Sequence, residues 1–177
     1  VARDGDNDVL RIVEYKHSAR DGEEGNRLRT RARFRVSGAK LTFDPGTHKL
    51  KEMGAPAFSP DGKKIAFIGL DADGVTDVWT LELATATWTK LTSDVYAEKE
   101  LDWSAKGIVF SADATETRHY NLFLVDPETK EVTRLTQASA NHRFPAFTPE
   151  GDAIAFSGDD SSKWDIYQLS VAAAVQH

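Results

Sequence analysis

The 177-residue sequence has no cysteine and only one methionine. The absence of cysteine excludes disulfide bonds and thiolate metal sites, and it leaves the redox compartment undecided. No apolar run approaches the roughly 20 residues that a helix needs to cross a bilayer, so we expect no membrane span. The sequence also shows no secretory leader and starts at Val1 rather than at methionine, from which we expect a trimmed chain.

Charge is unevenly distributed along the sequence. The formal net charge is -6, which disfavours nucleic acid as the main partner. Residues 1–53 contain 12 Lys and Arg against 9 Asp and Glu, whereas residues 54–177 contain 10 against 19. Because this change coincides with the start of a clear internal repeat, we predict an N-terminal region of residues 1–53 and a repeat region of residues 54–177.

The internal repeat has a period of about 44 residues, the length expected of one blade of a β-propeller. Two sets of aromatic residues define this period, with steps of 45 and 44 residues in the first set and 44 twice in the second. We expect these aromatic side chains to stack between neighbouring blades. The sets are Phe58, Trp103 and Phe147, and Trp79, Phe123 and Tyr167.

Each copy alternates short apolar runs with turn residues, which is typical of antiparallel strands. In the turn Ser59–Gly62, Pro60 presets φ, Asp61 can bond its own backbone and Gly62 accepts a positive φ. We therefore predict an all-β protein, a β-propeller of four-stranded antiparallel blades. The copies span residues 54–93, 99–137 and 143–177, with a partial earlier copy in residues 40–50 and a last copy that stops after its third strand. About four blades or partial blades indicate an arc of a larger propeller.

The segment 55–67, Ala-Pro-Ala-Phe-Ser-Pro-Asp-Gly-Lys-Lys-Ile-Ala-Phe, is followed by Asp-Val-Trp and Lys-Leu-Thr. This pattern resembles the TolB-like propeller repeat, also called PD40 or WD40-like, over roughly residues 54–169. The same repeat occurs in propellers of prolyl-oligopeptidase-like and tricorn-like proteases. The resemblance implies a bacterial, periplasmic or extracellular protein whose propeller binds other proteins or gates a catalytic domain. The N-terminal α/β domain of TolB has no counterpart here, and Ala105-Lys106 replaces Pro-Asp in the second copy.

No Gly-x-Ser-x-Gly elbow of a serine hydrolase occurs in the sequence. We expect a non-enzymatic scaffold that mediates protein–protein interaction in an exported bacterial complex, without a cofactor. The alternative is the propeller domain of a larger hydrolase that gates substrate access. The expected partner is a protein, either the missing remainder of the propeller or a subunit of a complex.

The links that lead into the innermost strands are the first candidate site. Propeller loops at this place face the mouth of the central channel, where TolB-like propellers bind partners. The residues that we predict to contact a partner are Glu98, Lys99, Glu100, Asn141, His142 and Arg143. The alternative is that these are solvated links without a partner.

Five arginines that alternate with other residues are the second candidate site. At a period of two they project from one face of a predicted strand, residues 28–36. Such a row could bind phosphates, lipid headgroups or acidic polysaccharide through bidentate contacts. The alternative is an exposed strand whose charges pair with acidic neighbours and deter aggregation. The five residues are Arg27, Arg29, Arg31, Arg33 and Arg35.

The segment 71–77 is a weak calcium candidate, because Asp71, Asp73 and Asp77 place oxygen ligands at alternate positions around a glycine bend. It lacks the later bidentate glutamate of an EF-hand, and Asp77 occupies the repeat position of Asn121 and Asp165. An ordinary hairpin loop is therefore the favoured interpretation, and the five scattered histidines show no zinc spacing. A calcium- or glycan-binding module rests on this loop alone.

Overall fold

The structure is a computed structural model, and it describes residues 2–4, 7–14, 29–35, 48–114, 118–160 and 162–174, with side chains from 48 to 172. The chain divides into two compact units, Val1–Thr42 and Phe43–His177. The division predicted from charge at residue 53 stays a prediction.

The first unit contains a three-stranded antiparallel sheet in the order β1-β2-β3. Its strands are β1 (Ala2–Asp4), β2 (Asn7–Glu14) and β3 (Arg29–Arg35). In the register, Arg29 lies opposite Glu14 and Arg33 opposite Arg11, with a register shift beside Ile12. The strand predicted at residues 28–36 is therefore present as β3.

The second unit contains three sheets, each an antiparallel meander in which consecutive strands pair. Blade 1 consists of β4 (Glu52–Phe58), β5 (Lys64–Leu70), β6 (Thr76–Glu82) and β7 (Thr87–Lys90). Blade 2 consists of β8 (Glu98–Ser104), β9 (Gly107–Ala112), β10 (Asn121–Val125) and β11 (Val132–Arg134). Blade 3 has β12 (His142–Phe147), β13 (Ala153–Gly158) and β14 (Asp165–Ser170), followed by α1 (Val171–Ala174). This arrangement confirms the predicted partial β-propeller.

The predicted turn between the first two strands of blade 1 forms as its residues require. Gly62 has a φ of 68°, and its amide donates to the carbonyl of Ser59 over 2.8 Å. The Ser59 hydroxyl donates to Asp61 Oδ1 over 2.7 Å and accepts from the Lys64 amide over 2.8 Å. Ser59 is thus a turn cap, and Gly151 repeats the conformation of Gly62 in blade 3 with a φ of 72°.

Successive blades pack face to face through two apolar clusters. The first joins blades 1 and 2 and includes Ala66, Val78, Ile108 and Phe110. The second joins blades 2 and 3 and includes Val109, Leu122, Ile154 and Phe156. Because both faces of blade 2 are covered, every residue of β9 and β10 is buried.

The aromatic sets obey the stacking prediction except at blade 1. Trp103 and Phe147 are half-buried against the two interblade clusters, whereas Phe58 is 62% exposed. The prediction for Phe58 is wrong, because Phe58 lies opposite Ile65 on the face of blade 1 that points away from blade 2. Trp79 is buried on that same face, under Leu50.

Candidate binding site on the inner strands

The first strands of successive blades, β4, β8 and β12, lie beside one another. Each contains a register shift against the second strand of its blade, which is typical of a β-bulge. Ala55 and Phe144 have positive φ values of 50° and 57° within this bulge. Aligning the strands on Phe58, Trp103 and Phe147, which lie opposite Ile65, Ile108 and Ile154, gives two equivalent positions, Gly54/Lys99/Arg143 and Ala55/Glu100/Phe144.

The guanidinium group of Arg143 is the centre of a compact cluster on these strands. It forms an ion pair with Glu100, and its Cζ lies 5.1 Å from the Tyr120 ring centre and 4.7 Å from that of Phe144. Lys99 Nζ lies 5.3 Å from the Tyr120 ring centre. We call these five residues the inner-strand cluster. Tyr120 and Phe144 were not predicted as site residues.

Glu100 is held in its charged form by two donors. Burial alone would raise the pKa of Glu100, but hydrogen bonds from Arg143 and Ser111 outweigh it and lower the pKa below its usual value. The Ser111 hydroxyl donates to Glu100 Oε2 over 2.6 Å. A charged carboxylate between a hydroxyl and a guanidinium fixes the arginine so that its Cζ stays close to the two aromatic rings.

Glu98, two residues away, is in a different environment, with only 1% of its surface exposed. Its Oε2 accepts from the Thr92 hydroxyl over 3.0 Å, and its amide donates to the Thr76 hydroxyl over 2.7 Å. Burial raises the pKa of Glu98 to about 8, with a further contribution from the negative charges of Asp94 and Asp77. Glu98 is therefore a protonated link between blades 2 and 1 at neutral pH.

Asn141 and His142 are engaged with the loop that follows β13. The Asn141 amide and its side-chain Nδ2 donate to the Asp159 carboxylate over 2.6 and 3.0 Å. His142 is buried, with Nε2 at 2.9 Å from Asp160 Oδ2. These contacts hold β12 in place. Partner contact by any of the six predicted residues stays a prediction.

Among the other candidates, Arg29, Arg31, Arg33 and Arg35 lie on β3, and Arg27 lies outside the described residues. The register shift in the β2–β3 pair falls next to Arg31, because Ala32 pairs with Ile12 and Thr30 with Val13. Anion binding by this row stays a prediction.

The Asp71–Asp77 loop has protein partners for two of its carboxylates. Asp71 Oδ1 accepts from the amides of Val75 and Asp73, each over 2.9 Å, and the bond from Val75 lowers the pKa of Asp71. Asp77 is buried, with Lys90 Nζ at 2.6 Å. Within the described ranges no three His, Asp or Glu residues are placed to hold a metal ion. The geometry is that of a hairpin loop closed by its own amides.

Part of the chain is similar in sequence to two longer proteins. No protein-family model matches it. It is 26% identical over 124 residues to an uncharacterized protein of Agrobacterium fabrum, covering 68% of this chain and 42% of that protein. It is also 26% identical over 165 residues to the uncharacterized peptidase YuxL of Bacillus subtilis, covering 70% of this chain and 25% of that peptidase. The chain thus spans less than half the length of either relative.

Solved structures show the same fold. The putative TolB from Agrobacterium tumefaciens superposes with a TM-score of 0.61 at 22% identity, over 70% of this chain and 47% of that one. TolB from Acinetobacter baumannii superposes with a TM-score of 0.61 at 21% identity, over 83% of this chain and 35% of that one. A puromycin hydrolase superposes with a TM-score of 0.60 at 19% identity, over 71% of this chain and 21% of that one. The chain therefore has the fold of a TolB-like β-propeller. In the parts of the chain that the structure describes, no helix is long and apolar enough to span a membrane.

Proposed function

We propose that this chain is a non-enzymatic segment of a β-propeller that binds another protein through its inner-strand cluster. The observation that carries the proposal is Phe144, whose side chain is 54% exposed beside the Arg143 guanidinium. Exposed aromatic and arginine side chains in contact are the residue types that dominate binding energy at protein interfaces.

The backbone supports this role because it holds Phe144 in a conformation that bulky residues rarely adopt. Its φ of 57° lies in the left-handed region, which costs on the order of 1–3 kcal/mol and clusters at functional sites. The Phe144 ring lies outside both interblade apolar clusters of the described residues. A partner that covers the ring would recover apolar burial that the isolated chain leaves unused.

The two end faces of the three-blade array indicate a second contact, with further blades. Phe58 on blade 1 is 62% exposed and Ile166 on blade 3 is 78% exposed. At the two internal interfaces the corresponding faces are closed by apolar clusters. We infer that the remaining blades of a larger propeller cover these end faces, in a periplasmic or extracellular protein.

The alternative function is that of a propeller domain in a larger hydrolase, where it would gate access of substrate. Its support is the similarity to the peptidase YuxL and to puromycin hydrolase, of which the chain covers 25% and 21%. Reading the parent gene beyond residues 1 and 177 separates the two functions. A Gly-x-Ser-x-Gly elbow in a following domain would favour the hydrolase.

The test of protein binding uses a photo-crosslinking phenylalanine analogue at Phe144 in the full-length protein. The matched control carries the analogue at Val132, which is also exposed but lies on the outer strand β11. We expect a discrete crosslinked protein from envelope of the source bacterium at Phe144 only, and its loss when Arg143→Met is added. Equal crosslinking at both positions, or none at Phe144, would contradict the proposal.

A further inference from the structure

A cavity of about 350 Å³ lies between the inner strands of blades 1 and 2. One wall is the β4 bulge and the other is the start of β8, with Thr76 of β6 also contributing. It lies next to the inner-strand cluster, with which it shares two residues. The lining residues that matter for its chemistry are Gly54, Ala55, Thr76, Glu98, Lys99 and Glu100.

The cavity is present because blade 1 has small residues where the other blades have large ones. Gly54 stands at the position of Lys99 and Arg143 on the aligned strands. A Cβ atom added to Gly54 would have no heavy atom within 4 Å. The space that a cationic side chain takes in blades 2 and 3 is therefore open in blade 1.

The wall of this cavity contains a buried acidic group with unused bonding capacity. Glu98 Oε1 has no hydrogen-bond partner among the described residues, although the residue is 1% exposed. A buried polar atom without a hydrogen bond is destabilising, and a bound donor would satisfy it. The nearby cations are directed elsewhere, since Lys90 pairs with Asp77 and Lys99 lies against Tyr120.

We propose that this cavity binds a cationic group, an ammonium or a guanidinium, with the Glu98 carboxylate as its counter-ion. The next interface shows the same chemistry built from the chain itself, because Arg143 of blade 3 pairs with Glu100 of blade 2. The inference deepens the proposed protein-binding function and rests on it only for the source of the cation. That source is a lysine or arginine side chain of a partner, or a free small amine.

Binding of a cation would also move a proton. Burial together with the charges of Asp94 and Asp77 raises the pKa of Glu98 to about 8, so the empty cavity holds a carboxylic acid at pH 7. A neighbouring positive charge favours the carboxylate. Close to one proton would therefore leave Glu98 for the buffer per cation bound, while the ligand stays protonated.

The experiment is calorimetric titration of the protein at pH 7 with three probes. The probes are acetyl-Gly-Lys-Gly-amide, its norleucine counterpart without the ammonium group, and n-butylammonium chloride. Each titration is repeated in phosphate and in Tris, whose different ionisation heats report the released proton. We expect the lysine peptide to bind with release of close to one proton and the norleucine peptide to bind at least 10-fold more weakly. Binding of n-butylammonium as tight as that of the peptide would assign the site to free amines.

Two variants and one control complete the test. Glu98→Gln, which keeps the side-chain size, should weaken the lysine peptide at least 10-fold and abolish proton release. Gly54→Lys, which places a tethered ammonium at the cavity, should abolish binding of the added probes. Glu128→Gln, an exposed glutamate paired with Lys64, should change neither quantity. Unchanged binding in Glu98→Gln, equal binding of both peptides or binding without proton release would overturn the inference. Crosslinking at Phe144 does not depend on Glu98, so it tests the proposed protein binding separately from the cation site.

Discussion

Replacing Glu98 with glutamine should change the pH dependence of stability in a way that follows directly from its burial. Burial raises the pKa of Glu98 to about 8 in the folded chain, against an ordinary value of 4.5 for glutamate. The folded state holds this proton more tightly than the unfolded state. The contribution of protonated Glu98 to the free energy of unfolding is therefore fully present below pH 4.5 and is lost as the pH rises to 8. Each pH unit well inside this window therefore lowers the free energy of unfolding by roughly 1.4 kcal/mol.

The change in the free energy of unfolding that Glu98 causes is largest when two pH values inside that window are compared. Between pH 5.5 and 7.5 the wild-type free energy of unfolding should fall by about 2–3 kcal/mol through Glu98 alone. Glutamine carries no titrating proton and can still accept from the Thr92 hydroxyl, as Glu98 does. The stability of Glu98→Gln relative to wild type should thus increase by the same 2–3 kcal/mol over this interval.

Urea unfolding of both proteins at pH 5.5, 6.5 and 7.5 measures this difference. Comparing the two proteins cancels the other groups that titrate in this range. Glu128→Gln serves as the control, because its side chain is 76% exposed and its pair with Lys64 should contribute less than about 1 kcal/mol. A difference between wild type and Glu98→Gln that stays constant from pH 5.5 to 7.5 would refute the assignment of Glu98 as a buried acid.

Three further predictions concern packing, backbone and the loop. Leu122→Ala should lower the free energy of unfolding by about 3 kcal/mol, because Leu122 is fully buried between blades 2 and 3, whereas the exposed Val132→Ala should change it by less than about 0.5 kcal/mol. Gly107→Ala should cost about 2–3 kcal/mol by the same assay, since Gly107 has a φ of 126° and its new Cβ would lie 2.8 Å from the Val125 carbonyl oxygen. Calcium should leave the melting temperature unchanged, because Asp71 already accepts from two amides; a concentration-dependent rise would show that the loop binds the ion.

The blade architecture could be predicted because its signals are local. Turn residues such as Ser59 and Gly62 and the apolar runs of β5 and β9 need only near neighbours in sequence to form their structures. The exposure of Phe58 could not be predicted in this way. Whether a sheet face is buried depends on what stands opposite it, and the repeat pattern is the same for a covered and an uncovered blade.

The site was only partly predictable, for a different reason. Sequence alignment of the links identified Lys99, Glu100 and Arg143, but Tyr120 enters from another segment and reaches them only through the fold. Phe144 did carry a signal, since it stands where the other copies have Ala55 and Glu100. The interpretation of these links as surface contacts also missed that Glu98 is buried. Its burial follows from hydrogen bonds to Thr92 and Thr76 of the neighbouring blade, which no local pattern encodes.

Gly54 shows how differences between repeats can be more informative than their common pattern. Glycine inside a strand costs roughly 0.5–1 kcal/mol relative to a residue with a side chain. At Gly69 that cost has a structural reason, because a Cβ there would lie 2.9 Å from the Trp79 side chain. At Gly54 no neighbour requires glycine, and the aligned positions hold Lys99 and Arg143 without difficulty. A residue that lowers stability, relieves no contact and opens a cavity beside a buried carboxyl group is best explained by what the cavity holds.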